Sequence, residues 1–113
     1  MKDTATLPSS EALRIVDLIT STERGIASRV LAKTSGGNVT LFAFDEGEGL
    51  SEHTTPFEAL VLVVEGSLTL TIGGTPVAAG PGTIVRMPAG VPHAVDAAAA
   101  SKMLLVMLRE STH

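Results

Sequence analysis

Two histidines are the side chains of this chain best suited to chemistry, and each follows a loop that contains glycine. His53 comes after residues 46–49, read EGEG, and stands just before an apolar run that ends at Gly66. His93 ends the stretch GTIVRMPAGVPH, in which β-forming residues lead into a turn rich in proline and glycine. The two loops are similar, and each of them positions one imidazole. Imidazoles at such positions suit metal binding, proton transfer or hydrogen bonding to a ligand.

Composition limits the chemistry available to these histidines. The chain has 113 residues, of which 44% are hydrophobic, so it is one domain with a sizeable core. Its formal net charge is -4, with 8 Lys and Arg against 12 Asp and Glu, which argues against nucleic acid as a partner. Cysteine, tryptophan and tyrosine are all absent. Thiolate chemistry, disulfides and a phenolic acid are therefore excluded.

The chain shows no sequence signal for a membrane. Its first residues, MKDTATLPSSEALR, contain no apolar run of signal-peptide length. No stretch approaches the roughly 20 apolar residues of a membrane-spanning helix. We therefore expect a soluble, cytoplasmic protein without a membrane partner.

Short β-strands must position the two histidines. The sequence predicts nine or ten of them, with turn signals every 8 to 12 residues and no helix beyond one short turn at residues 9–12. Residues 1–8 read as a loose arm, and residues 12–19 and 26–34 as two apolar strands. A change of phase predicts a bulge at Gly66, and Gly73 with Gly74 predicts a hairpin turn. This pattern indicates an all-β sandwich or barrel of antiparallel strands.

The two loops resemble the paired motifs of the cupin superfamily, whose members are small jelly-roll barrels. The first motif is G, five residues, H-x-H, three or four residues, E, six residues, G; the second is G, five residues, P-x-G, two residues, H, three residues, N. The matching residues are Gly47, His53 and Gly66 in the first motif, and Gly82, Pro88, Gly90 and His93 in the second. The resemblance covers residues 39–108. It implies a single RmlC-like cupin domain over residues 1–113, of the conserved-barrel type, with an antiparallel double-stranded β-helix.

The resemblance also implies a metal site, which this chain carries incompletely. Cupin enzymes typically hold Fe, Mn, Ni, Zn or Cu with three histidines and a glutamate. Here Thr55 stands at the second histidine position and Ala59 at the glutamate position. Glu58 could replace the glutamate only with a bulge at Pro56, because a shift of one residue turns a side chain to the opposite face. Two imidazoles bind a divalent ion weakly, so we expect Zn, Ni, Mn or Fe to be weakly held or absent, and no other cofactor.

Three classes of function are compatible with this pattern. The first is a small-molecule-binding barrel of unassigned ligand, centred on His53 and His93. The second is a metal-dependent enzyme, of the oxygenase or isomerase type, that acts on a small acid or carbonyl compound. The third is a structural or regulatory dimer with a vestigial pocket. We favour the first class, because donors are lost at two motif positions while both histidine loops persist.

Each predicted pocket residue also has a purely structural interpretation. The predicted pocket residues are His53, Thr55, Ala59, Met87, His93 and Lys102. The histidines suit a metal role and, equally, a structural role as polar groups satisfied by each other or by water. Met87 is most simply core filler, and Lys102 a surface residue unless it faces the barrel and an anionic ligand.

A homodimer is the expected assembly. The apolar residues 12–34 exceed what one small barrel buries, and two-fold pairing is the commonest way to cover such a surface. The resemblance supports the same assignment, because many cupins place extra N-terminal strands at a dimer interface.

Overall fold

Alternating and fully apolar segments of the sequence form nine β-strands. The computed structural model describes residues 6–109. The strands are β1 Ile26–Thr34, β2 Gly37–Phe44, β3 Gly49–His53, β4 Glu58–Glu65, β5 Leu68–Ile72, β6 Thr75–Ala79, β7 Ile84–Met87, β8 His93–Ala97 and β9 Ser101–Leu108. The helical content of the described chain is one short 3-10 turn, Ile15–Asp17.

Two antiparallel sheets make up the domain. The large sheet has the strand order β1-β2-β9-β4-β7, and the small sheet has the order β3-β8-β5-β6. Neighbours in each sheet are often distant in sequence, as β2 and β9 are, which is the connectivity of a jelly roll. The predicted antiparallel barrel is therefore confirmed.

The main core lies between the two sheets and follows the period of two in each strand. Ala59, Val61 and Val63 of β4 point inward from the large sheet, and Val95 and Ala97 of β8 point inward from the small one. Burial in β8 alternates from its first residue, so His93 shares this inner face. Apolar side chains therefore fill most of the barrel interior, and His93 lies at one end of it.

The predicted strand at residues 12–19 is wrong. These residues lie against the outer face of the large sheet and contain the 3-10 turn, instead of extending a sheet edge. Ile15, Leu18 and Ile19 follow helical spacing, which puts all three on one side, where they pack in a second core cluster. The helical turn predicted at residues 9–12 therefore forms a few residues later. The second predicted strand, residues 26–34, coincides with β1.

The predicted loose arm is partly anchored. Residues 1–5 lie outside the described residues, but the backbone N–H of Leu7 donates to the carbonyl of Leu31 in β1 at 3.0 Å. Among residues 6–109, no helix is long and apolar enough to cross a membrane.

Glycines shape the turns where the sequence predicts them. Gly73 and Gly74 join β5 to β6, and both have positive φ, as a tight two-residue hairpin of type I′ requires. The bulge predicted at Gly66 appears slightly earlier, as a register shift between Val63 and Glu65 in the pairing of β4 with β9. Gly66 itself has a φ of 82°.

Candidate functional site

The two histidines meet across neighbouring strands of the small sheet. Strands β3 and β8 pair so that His53 lies directly opposite His93. Their Nε2 atoms are 3.1 Å apart, and the rings meet edge to face with centroids separated by 4.3 Å. The structure therefore brings the two rings into contact, whereas the prediction that they share one water or ion stays a prediction. We call these two side chains the histidine pair.

An irregularity in β3 turns His53 toward its partner. Leu50 pairs with Val95 and packs on the main core, and His53 pairs with His93, yet Leu50 and His53 are three residues apart. A regular strand would send them to opposite faces, and the register shift between them removes this conflict. The result is asymmetric: His93 is 5% exposed, whereas His53 is exposed to solvent. The pair therefore joins the barrel interior to the solvent.

Each histidine ring is oriented by a local hydrogen bond of the same kind, from Nδ1 to the carbonyl two residues earlier. The Nδ1 atom of His53 lies 2.9 Å from the carbonyl oxygen of Ser51, and Nδ1 of His93 lies 3.3 Å from that of Val91. A carbonyl oxygen accepts only, so each Nδ1 must carry the proton and donate. In the neutral rings both Nε2 atoms then carry lone pairs, and these lone pairs converge.

The number of ring protons determines what the histidine pair can bind. The pair makes three contacts that each need a ring N–H: two to carbonyl oxygens and one between the Nε2 atoms. Two neutral imidazoles carry only two ring protons. The third contact is satisfied when the rings share an additional proton, or when a cation or a donor group engages both Nε2 atoms. The pair is therefore built to receive one positively polarised group.

A metal ion fits the histidine pair only in part. Two nitrogens bound to one tetrahedral Zn²⁺ at about 2.0–2.1 Å stand roughly 3.3–3.4 Å apart, and the observed Nε2 separation of 3.1 Å is close to this range. Histidines that bind a metal through one ring nitrogen typically donate a hydrogen bond from the other, and both of these rings donate from Nδ1 to a carbonyl. However, no group of three or more His, Cys, Asp or Glu in the described part of the chain could hold an ion. The protein thus offers half of a four-donor shell and does not fit a tightly bound resident metal.

Thr55 is bonded to the turn before His93, and Ala59 and Met87 lie in the main core. The Oγ1 atom of Thr55 accepts from the backbone N–H of Phe57 at 3.3 Å, and its carbonyl accepts from Gly90 at 2.9 Å. Ala59 and Met87 are each 3% exposed, pair across β4 and β7, and belong to the main core. Ala59 thus faces the barrel interior, as the motif alignment predicts, and Met87 fills the core.

Glu58 and Lys102 are not brought to the histidine pair. Glu58 precedes the inward-facing Ala59 and points outward, where its Oε1 accepts from Nε of Arg86 at 2.6 Å. No register shift is present at this end of β4 to turn Glu58 inward. Lys102 lies on the face of β9 opposite the core residue Met103. Its Nζ donates to the carbonyl of Val16 at 2.7 Å, so the lysine holds the N-terminal segment.

Comparison with known proteins decides the family. The profile of the Cupin domain family matches residues 40–108, which is more than half of the chain. The chain belongs to the cupin superfamily. No curated protein shows significant similarity to this cupin.

Solved structures agree over nearly the whole chain. A conserved protein of unknown function from Streptococcus pyogenes is 27% identical, with a TM-score of 0.88 over 94% of this cupin and 93% of that chain. A cupin superfamily protein from Desulfitobacterium hafniense is 28% identical, with a TM-score of 0.87 over 92% of this cupin and 95% of that chain. An RmlC-like cupin from Desulfovibrio desulfuricans, 19% identical with a TM-score of 0.76 over 87% and 95% of the two chains, shares the fold.

Two features of the site escaped sequence reasoning. The irregularity in β3 was detectable, because Leu50 was expected in the core and His53 beside His93, on the same side of the strand, although their spacing is odd. The carbonyl partners of the Nδ1 atoms left no such signal, because Ser51 and Val91 contribute backbone atoms whose direction depends on the folded loops.

The buried ring of His93 predicts a pH-dependent stability. Burial lowers the pKa of His93 below its ordinary value of 6.5; the Val91 carbonyl opposes this shift, and the charge of His53 adds to it. The unfolded chain therefore binds more protons than the folded chain when the pH falls below 6.5. The contribution is fully present above that pH and is lost as the pH falls toward the folded pKa. Urea unfolding at about pH 7.5 and about pH 5.5 measures the loss.

The variant His93→Asn is the control for this pH dependence. It removes the titrating ring, so the free energy of unfolding should change less between the two pH values than in the parent chain. The pKa values of Asp45 and Glu58 are lowered from 3.8 and 4.5, so these carboxylates titrate below the window. An equal loss in both chains would contradict the assignment to His93.

Proposed function

We propose that this cupin binds a small molecule at the histidine pair, through a hydrogen-bond donor that engages both Nε2 atoms. The observation that carries the proposal is the convergence of two Nε2 atoms at 3.1 Å while each Nδ1 is already committed to a carbonyl. A ligand hydroxyl or amino group supplies the proton that the neutral pair lacks. Ile72, a partly buried residue opposite His93 in the small sheet, offers an apolar contact for the non-polar part of such a ligand.

Matched probes test this proposal. Glycolate carries a hydroxyl group that acetate lacks, so glycolate should bind more tightly, and both His53 and His93 ring resonances should shift together in NMR spectra. In His93→Asn the advantage of glycolate over acetate should disappear. His113, which lies outside the described residues, is changed to Asn throughout to remove its signals. Equal effects of the two acids on the histidine ring resonances, or an advantage of glycolate over acetate at His53 that persists in His93→Asn, would contradict the proposal. Absence of binding by any small donor would favour a structural dimer with a vestigial pocket.

The second candidate is a metal-dependent enzyme of the oxygenase or isomerase type. The spacing of the Nε2 atoms favours it, because this spacing suits two donors on one ion. The exposure of His53 leaves the solvent side open for water or for ligand oxygens as further donors. A divalent ion held there would polarise a small acid or carbonyl compound. With two protein donors we expect substoichiometric metal in protein purified without a chelator or affinity tag, which elemental analysis measures.

We also propose that the protein is a homodimer that pairs through the region of β1. This strand is the outermost one of the large sheet, so one edge of it has no strand partner among residues 6–109. Ile26 and Val30 of β1 are 37% and 38% exposed, which is a high apolar exposure for one edge strand. A second copy covers both the edge and these side chains.

Light scattering at micromolar concentration tests the dimer. The parent chain should have twice the mass of one chain, and Val30→Glu should weaken association at least about tenfold, because a charge is placed in an apolar contact. Ile84→Glu is the matched control, since Ile84 is 63% exposed but lies on the opposite edge strand β7. A monomeric parent, or equal effects of the two variants, would contradict the proposed interface.

A further inference from the structure

A cleft away from the histidine pair combines two arginines with apolar walls. Its volume is about 420 Å³. The residues that line it are Pro56, Glu58, Arg86, Ala89, Leu108 and Arg109. Two guanidinium groups and one carboxylate give it a formal charge of +1, on a chain whose net charge is -4. The cleft is therefore a positively charged region on an acidic protein.

Glu58 orients one of the arginines and is itself fully engaged. Its Oε1 accepts from Nε of Arg86 and its Oε2 from the backbone N–H of Ala89, both at 2.6 Å. The Ala89 amide, followed by Arg86, lowers the pKa of Glu58, so the carboxylate stays ionised. The Nη groups of Arg86 have no acceptor within residues 6–109 and remain available. Glu58 thus fixes the fork of Arg86 and leaves its donors free for a ligand.

Arg109 is held in place by an aromatic ring and by its backbone. Its guanidinium carbon lies 5.4 Å from the centroid of the Phe57 ring, and its backbone N–H donates to the Gly36 carbonyl at 2.7 Å. No hydrogen bond occupies the guanidinium N–H groups in the part of the chain that the structure describes. A stacked guanidinium keeps its in-plane donors exposed, so Arg109 is a second preformed donor.

We propose that this cleft binds a small organic anion, whose carboxylate or phosphate group is held by Arg86 and Arg109. Planar guanidinium forks match the oxygen pairs of these groups and form short, charge-assisted hydrogen bonds. Leu108, which is 49% exposed, and Pro56 supply an apolar wall for the rest of the ligand. The expected ligand is therefore an anion with a hydrocarbon portion.

This site is separate from the histidine pair. Glu58 points outward while the next residue, Ala59, points into the barrel, so the wall of the large sheet stands between the cleft and the interior. The two sites share the turn at residues 88–90, where Ala89 binds Glu58 and Gly90 binds the Thr55 carbonyl, and the adjacent segment in which Pro56 follows Thr55. Binding in the cleft can thus be tested independently of the proposed function.

Titrations with hexanoate, acetate and inorganic phosphate at constant ionic strength test the proposal. Hexanoate should bind saturably and more tightly than acetate, because its chain contacts Leu108, and phosphate reports on the two guanidinium groups alone. The side-chain Nε resonances of Arg86 and Arg109 and the Ala89 amide should shift in NMR spectra. Arg86→Gln and Arg109→Gln should each weaken binding about tenfold or more, the loss expected for a charge-assisted hydrogen bond.

Arg14→Gln is the matched control for charge. Arg14 is paired with Asp17 on the N-terminal segment, away from the cleft, so its loss removes one positive charge without touching the site. It should leave the affinity for hexanoate unchanged. The proposal is overturned if all three variants bind alike, if hexanoate binding does not saturate, or if the resonance changes map to other residues.

Discussion

The double variant Thr55→His/Ala59→Glu is expected to bind Zn²⁺ or Ni²⁺ at least about 100-fold more tightly than the parent chain, because it supplies two more donors. The histidine pair already has Nε2 atoms at a spacing that suits one ion. Ala59 faces the interior, and the carbonyl of Thr55 is bonded to the turn before His93. Calorimetric titration of each chain with each ion measures the change.

Stability provides an independent measure of the same change. Ala59 is 3% exposed, so a glutamate there places a carboxyl group in an apolar core and should destabilise the metal-free variant. Metal that binds the folded state should restore the loss, so the melting temperature should rise far more with Zn²⁺ in the variant than in the parent. The single variant Ala59→Glu is the control for burial alone. A folded double variant with parental metal affinity would contradict the placement of the four positions around one site.

Gly66→Ala is expected to lower the free energy of unfolding by about 3 kcal/mol or more, from backbone strain and overpacking together. Gly66 has a φ of 82°, which residues with a Cβ rarely adopt. An added Cβ would also lie 2.7 Å from Cα of Ser101 and closer still to the Ser101 hydroxyl and the Ala100 carbonyl. That hydroxyl accepts from the N–H of Ser67 at 3.0 Å, so the clash also disturbs a partly buried hydrogen bond.

Gly82→Ala separates the two contributions. Gly82 has nearly the same φ, 81°, but an added Cβ meets nothing within 4 Å. It should therefore cost about 1 kcal/mol, the strain alone. Urea unfolding of both variants measures the difference. Equal losses would contradict a role for the close contact at Ser101. They would mean that Gly66 is required only for its positive φ.

Local pattern was sufficient to predict most of the barrel. Alternation along β5, from Leu68 to Ile72, and the paired glycines after it specified a strand and a hairpin turn. The spacing of the second motif placed His93 at the start of β8, on its inner face. These features depend on residues close together in sequence, where side-chain period and turn chemistry act directly.

Features that depend on distant contacts were less predictable. Residues 12–19 are rich in β-branched side chains, as strands are, but they pack on the outer face of the large sheet and pair with no strand among residues 6–109. Glu58 is bound by Arg86, 28 residues later, and Lys102 by Val16, 86 residues earlier. Sequence spacing alone cannot choose among such partners. The inner or outer placement of a polar side chain therefore needed the structure.

Long-range ¹H–¹⁵N NMR of the histidine rings, recorded during a Zn²⁺ titration, tests the central claim most directly. It reads which ring nitrogen carries a proton and which binds. We expect that Nδ1 of both His53 and His93 stays protonated, while both Nε2 resonances shift together with one weak affinity. Shifts of one ring only, or Nδ1 atoms without protons in the metal-free chain, would contradict a pair whose Nε2 atoms converge on one ligand.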